Sequence, residues 1–367
     1  MPDSSDVDDL NALMHSVIQR VATGPELSKS ISTEEARLAT MGILDGVVDP
    51  IQAAIFFIAL RMKRETPEEN AGVLAAVRDA SIEVTADVED VVNLVDPFGG
   101  FNKCLPASTF LPAVLAECGV NSVILGLDSI SPKFGMTHNQ ILHSHGLAVD
   151  LSPKAAARRI EEPDIGWAYL DQSQFCPKLH ALVDLRNMMI KRQVLTTVEV
   201  LAKPVSGSDR THFVTGYVHN PYPPKYAAMA RQTGFDSALL IKGVEGGVIP
   251  SLRQAGSIYS YVGDAELQQY EIEPKEFGID RDVRMTPIPD AAMPGETGQD
   301  ADWSQVIAVA IDAGVAALQG QSGPAYDSLV YATTIILRHL GRVKSTEQGS
   351  KLVRKVLDSG LALNRLC

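Results

Sequence analysis

The chain has 367 residues and a formal charge of −13, with 45% hydrophobic and 21% charged side chains. That composition excludes a wholly disordered chain, and the length suffices for one large core or two coupled domains. The acidic balance argues against a general nucleic-acid binder, because neutralising phosphates needs a cationic face. Cys104, Cys118, Cys176 and Cys367 are scattered without a Cys-x-x-Cys pair, which fits a reduced cytoplasm and supplies neither a disulfide framework nor a zinc signature. The start, Met1-Pro2-Asp3-Ser4-Ser5-Asp6, does not read as a secretory signal, and the longest apolar run, near 51–60, is too short to span a bilayer. These features predict a soluble, acidic, cytoplasmic protein with no membrane partner.

The first eighty-odd residues read as helices only. Ser32-Thr33-Glu34-Glu35 is a capping box, and its helix is expected to stop at Asp45-Gly46. Asp49-Pro50 caps the next helix, on which Ile51, Ile55, Ile58 and Met62 recur at helical spacing. Thr66-Pro67-Glu68-Glu69 starts a third. From about residue 91 strands alternate with helices: 91–95, 123–125, 212–218 and 238–241 are short apolar or β-branched runs, most followed by Gly or Pro. Residues 286–298 read as a surface linker or lid, and the tail from Trp303 as mostly helical. Met188 and Met189 read as core filling.

Candidate chemistry lies in the loops. Asp96-Pro97-Phe98-Gly99-Gly100-Phe101-Asn102-Lys103, followed by Ser108-Thr109 at a helix start, could cradle a phosphate or carboxylate on backbone N–H groups, with Lys103 adding charge. The alternative is a tight strand–helix turn. Ser129, Ser131 and Lys133 of the next loop could hold phosphate oxygens, or be an ordinary loop. His143-x-His145 has no third ligand at a telling distance. Arg186 and Arg192 fall on a predicted helix over 179–192, where six residues turn through about 600°, so they converge only if the helix ends between them. Either could bind a carboxylate bidentately. Glu245, in Lys242-Gly243-Val244-Glu245-Gly246-Gly247, is a single carboxylate for Mg²⁺ and makes a weak metal site alone. The basic pairs Arg158-Arg159 and Lys191-Arg192, and Lys351, Arg354 and Lys355, read as solvated helix faces.

Taken together, several stretches resemble the anthranilate phosphoribosyltransferase family. Ser32–Ala36, Gly46, 52–63 and Glu65-Thr66-Pro67-Glu68-Glu69 resemble its amino-terminal helices, and Gly323-Pro324-Ala325-Tyr326-Asp327 with Leu357-Asp358-Ser359-Gly360 its carboxy-terminal ones. Residues 217–222 and 234–247 resemble a paralogous, tryptophan-independent branch labelled only as glycosyltransferases. The resemblance implies an α/β fold of the nucleoside phosphorylase/phosphoribosyltransferase-like type. A helical dimerisation domain would span 1–86, joined in space by about 166–192, and an α/β phosphate-binding domain would span 87–165 and 193–367. It implies a homodimer through the helical domain and a small anionic or phosphorylated ligand in the interdomain cleft, at Gly99, Gly100, Asn102, Lys103, Ser108, Ser129, Ser131 and Lys133. Arg186 and Arg192 match the arginines that meet the second substrate.

The departures fall where that family does its chemistry. Its loop Gly-Thr-Gly-Gly-Asp, which wraps the pyrophosphate of phosphoribosyl pyrophosphate, here keeps the Gly pair but has Phe101 for the Asp. Its Lys-His-Gly-Asn-Arg loop here reads Ile124-Leu125-Gly126-Leu127-Asp128, and its metal-binding Asp-Glu pair is reduced to Glu245. Losing one donor to a developing anion costs about 3–4 kcal/mol, and such losses do not simply add. The resemblance therefore implies a transferase-like protein with a remodelled donor site, Mg²⁺ being a doubtful cofactor. Two alternatives stand beside it: an active anthranilate phosphoribosyltransferase, and a non-catalytic binding or regulatory protein that could bind nucleic acid if dimerisation builds a basic groove.

Overall fold

The computed structural model describes residues 4–24, 26–296 and 298–366; Met1, Pro2, Asp3 and Cys367 lie outside the described residues. Four helices open the chain: α1 Ser4–Val21, α2 Thr33–Leu44, α3 Pro50–Lys63 and α4 Pro67–Asp79. The predicted starts of the last three hold. Ser32 and Thr66 each close a capping box, and Asp49 caps α3 ahead of Pro50. Glu69 does more than cap: its carboxylate also takes the Ile31 N–H at 3.0 Å and pairs with buried Lys63 at 2.7 Å, tying the α1–α2 connection to α3 and α4. Helix α1 went unpredicted, although Met14, Val17 and Val21, all fully buried, recur at helical spacing.

Nine strands follow: β1 Val84–Thr85, β2 Asp90–Val95, β3 Ser122–Gly126, β4 Trp167–Asp171, β5 Val205–Ser206, β6 Arg210–Tyr217, β7 Ser237–Lys242, β8 Gly256–Val262 and β9 Gln268–Ile272. β1 and β5 form a short parallel ribbon. The other seven make one mixed sheet in the order β4-β3-β2-β6-β7-β8-β9, parallel through β7 and antiparallel beyond. Helices Ser304–Leu318, Pro324–His339 and Thr346–Asp358 close the chain, as the sequence predicts from Trp303 onward. The fold is a helical bundle plus a larger α/β domain with a mixed central sheet. Chain order moves from β2 outward to β3 and β4, then returns to β6 on the other side. A crevice therefore opens beyond the carboxyl ends of β2 and β6.

Three expectations are corrected. The helix predicted over 179–192 is broken into Pro177–His180 and Val183–Met189, and Ile190 stops the second in the left-handed region at φ +60°. Met188, predicted as core filling, is 71% exposed, on a helix that packs on α3; Ile51 and Met62 of α3 are exposed as well, at 71% and 72%. The segment 286–298 is no free linker at its start, because Thr286 accepts the Leu105 N–H at 3.0 Å and Pro287 bridges Cys104. No helix among the described residues is long and apolar enough to cross a membrane.

At the amino ends of β6 and β7, His212 Nδ1, Ser237 Oγ and His339 Nε2 form a hydrogen-bonded chain at 2.8 and 2.7 Å. Burial lowers both histidines below their ordinary value, His339 to about 4, with His212 adding to that. The unfolded chain takes up this proton below pH 6.5, whereas the folded chain resists until near 4. Stability present above 6.5 is therefore lost as pH falls through that window. For His339 alone the loss is about 3 kcal/mol. Denaturant melts across pH 7 to 4 should show this slope, and His339→Gln should flatten it.

Candidate functional site

Loops at the carboxyl ends of the parallel strands are drawn together by one buried carboxylate. Asp96, following β2, accepts the Val248 N–H at 2.7 Å on one oxygen; the other meets the Ser108 hydroxyl at 2.5 Å and His138 Nε2 at 3.0 Å. His138 Nδ1 in turn lies 2.8 Å from the Thr109 hydroxyl. This fixes the post-β2 loop against the post-β7 loop and the helix His138–Ser144. The post-β2 loop also zips to the post-β3 loop: Phe101 and Met136 exchange both backbone hydrogen bonds, and Gly135 N–H donates to Gly99. Gly100 has to be glycine here, because φ is +73° and a Cβ would lie 2.4 Å from the Met136 carbonyl.

Between these loops, α3 and the segment 186–200 lies a cleft of about 190 Å³. Of the residues singled out from the sequence, Gly99, Ser131, Lys133, Arg186, Arg192 and Glu245 line it. Gly100, Asn102, Lys103, Ser108 and Ser129 do not. Ser108 is buried on Asp96, and the Lys103 side chain points to solvent, as does that of Lys242. Asp128 is exposed and outside the lining, so it places no negative charge in the cleft. His143 and His145 join no three-ligand cluster among the described residues.

Three basic side chains in the cleft are paired with acids: Arg186 with Glu199, Lys133 with Glu245 and Arg61 with Glu65. Arg186, 1% exposed, makes a two-pronged ion pair with Glu199 at 2.8 and 2.7 Å, and with the Gln193 amide turned toward it, its Nε donates to the Gln193 carbonyl at 2.7 Å. Gln172 holds the same Glu199 at 2.9 Å. Lys133 Nζ pairs with Glu245 at 2.5 Å, donates to the Gly100 carbonyl at 2.6 Å and lies 5.3 Å from the Phe101 ring centre. Burial alone would raise the Glu245 pKa; the Lys133 charge and the hydrogen bonds from Lys133, Asn102 and Lys103 outweigh it and hold the carboxylate below its ordinary range.

Sequence reasoning missed the other wall. Arg61 reaches across from α3 to hydrogen-bond the Tyr222 hydroxyl, with Glu65 3.3 Å away. The Tyr222 ring is 5.8 Å from Tyr226 and 6.5 Å from His219, giving an aromatic side to the cleft. Tyr222 and His219 stand in the stretch after β6 that carried part of the resemblance; nothing local marks Arg61 or Glu199. Arg192, beyond the broken helix, is exposed at the cleft and has no ion pair among the described residues. The lining therefore holds four basic side chains, of which Arg61, Lys133 and Arg186 are paired with Glu65, Glu245 and Glu199, leaving Arg192 unpaired among the described residues.

A divalent cation needs several oxygen ligands. The cleft carboxylates are Glu199 and Glu245, and both are engaged within the chain, Glu245 by Lys133 and the post-β2 N–H groups, so it would have to release them to serve as a Mg²⁺ ligand. The acidic cluster Glu89, Asp90 and Asp209 lies at the amino ends of β2 and β6, where Arg210 and Arg342 neutralise Asp90.

Comparison with known proteins matches two family models: the helical bundle domain of a glycosyl transferase family over residues 15–81, and its α/β domain over 99–363. Curated relatives include anthranilate phosphoribosyltransferases of Thermomicrobium roseum (27% identical, 96% of this chain and 95% of that protein) and Bradyrhizobium diazoefficiens (27%, 96% of each). Among solved structures, the enzyme from Thermus thermophilus superposes with a TM-score of 0.73 at 21% identity, covering 96% of this chain and 97% of that one. The Saccharomyces cerevisiae enzyme in complex with PRPP and Mg gives 0.73 at 17%, covering 97% and 96%.

Removing one partner of a buried ion pair leaves the other charge uncompensated, at about 3–5 kcal/mol. Arg186→Met should cost that much in chemical unfolding, and Arg186→Met with Glu199→Met should recover most of it.

Proposed function

The chain belongs to the glycosyl transferase family that contains the anthranilate phosphoribosyltransferases, and from that premise we propose that its cleft binds a small phosphorylated ligand and that orthodox phosphoribosyl transfer to anthranilate is not its reaction. The observation that carries this reading is Arg192, exposed at the cleft and the one lining cation without an acidic partner among the described residues. Arg61 and Arg192 would take the anionic group, with Gly99, Ser131 and Lys133 as the floor. The aromatic wall of Tyr222, Tyr226 and His219 suits a planar or sugar moiety.

Transfer from an activated pentose separates charge, and the leaving anion needs cations or N–H donors placed to receive it. Lys133 is tied to Glu245 and Arg186 to Glu199, so the chain's own residues supply few. Relatives at 27% identity over nearly the full length favour a second reading, an active anthranilate phosphoribosyltransferase. We place the helical unit at 1–86 with 166–192 beside it and the α/β unit at 87–165 and 193–367. The protein would act in the cytoplasm as a homodimer joined through the apolar face of Ile51, Met62 and Met188.

Titration with ribose 5-phosphate should give saturable heat. Arg192→Gln should weaken it about tenfold, the worth of a hydrogen bond to a charged group; no heat from folded protein would sink the reading. The wild-type gene should not restore growth to a tryptophan auxotroph lacking this transferase, and growth would establish the second reading instead. Light scattering should give twice the 39.5 kDa chain mass for wild type, and the chain mass for Ile51→Glu with Met62→Glu.

A further inference from the structure

The loop after β7 turns through Glu245 at φ +55°, a left-handed conformation that glycine adopts freely and glutamate does not. From there the side chain reaches into the post-β2 loop. Its Oε1 accepts the Lys103 N–H at 2.7 Å, and its two oxygens lie 3.3 and 3.2 Å from the Asn102 N. Oε2 holds Lys133 Nζ at 2.5 Å, and Cys104 Sγ lies 3.6 Å from Oε1. Two successive backbone N–H groups and a half-buried lysine are the donor set of an anion site. Here a carboxylate of the chain itself fills it.

The remaining donors of the loop are also engaged. Gly100 N–H donates to the Pro97 carbonyl and Phe101 N–H to the Met136 carbonyl, so each N–H from Gly100 to Lys103 has an acceptor within the chain. The Phe101 ring covers Lys133 on one side and packs so close to Gly247 that a Cβ there would come within 2.9 Å. An incoming diphosphate would have to break four hydrogen-bonding contacts of Glu245 and leave that carboxylate beside it, as a like charge in the same pocket.

We propose that Glu245 is the resident anion of the post-β2 loop: it excludes diphosphate-bearing ligands from that loop, and its removal uncovers a latent diphosphate site made of the Asn102 and Lys103 N–H groups and Lys133. The inference deepens the cleft reading above, because it confines the ligand's anionic group to the Arg192 side and selects monophosphates over diphosphates.

Calorimetric titration of the full chain with inorganic pyrophosphate, without added metal, tests it. Wild type should bind pyrophosphate weakly or not at all. Glu245→Gly, which suits the left-handed turn and deletes the carboxylate, should bind at least tenfold more tightly, and adding Lys133→Ala should abolish the gain. Exchange of the 99–104 amides with deuterium should quicken in Glu245→Gly and slow again with pyrophosphate. Equal affinity in wild type and Glu245→Gly, or no gain in a variant whose melting curve shows it folded, overturns the inference. If Glu245→Gly fails to fold, Glu245→Gln keeps the same test, with a smaller gain expected and its absence counting equally against the idea. Ribose 5-phosphate titrated in parallel separates the two readings: its failure to bind wild type strikes the cleft function, while the pyrophosphate comparison judges Glu245 alone.

Discussion

The contact between the Glu245 carboxylate, the Lys133 ammonium and the backbone N–H groups of Asn102 and Lys103 governs the arrangement of the cleft. It joins loops from three strand ends, β2, β3 and β7, through charge-assisted hydrogen bonds in a half-buried setting, where such bonds are strong. Asp96 ties the same loops through the Ser108 hydroxyl, His138 Nε2 and the Val248 N–H. Between them the two carboxylates satisfy the polar backbone that would otherwise line an open crevice.

The same economy explains the substitutions relative to the family pattern. Where the family places an Asp in its glycine-rich loop, this chain has Phe101, whose ring lies over Lys133 and against Gly247. The ring suits a loop packed on itself. The conserved-looking Gly pair then splits in meaning: Gly100 is required by its left-handed backbone and the approach of the 135–136 backbone, while a Cβ at Gly99 would make only ordinary contact, 3.4 Å from Lys133. Arg186 shows a parallel change of meaning, since its charge is consumed by Glu199 and its place at the cleft is that of a buried strut.

The helical bundle serves the site from the other side. Arg61 on α3 reaches Tyr222 across the cleft, while Ile51 and Met62, about a quarter turn from it on the same helix, are exposed. One helix thus presents a polar reach inward to the ligand side and an apolar surface outward. Periodic spacing identifies such a face without saying what covers it.

Local signals determined a good deal. Caps at Ser32, Asp49 and Thr66 located helix starts because they satisfy free N–H groups within a few residues of chain. Short β-branched runs located β2, β3, β6 and β7. The polar edge strand β9 lacked such a signal, with four of its five residues exposed, whereas the buried run Trp167-Ala168-Tyr169-Leu170 of β4 carried one that went unread. Motif resemblance identified the family, and loop chemistry together with that resemblance singled out six of the cleft residues. Only the tertiary structure decided which cations are available, since Glu199 lies 13 residues from Arg186 and Glu245 lies 112 from Lys133 in sequence. Whether a charge is free depends on what the fold brings within about 3 Å of it, and chain distance carries no record of that.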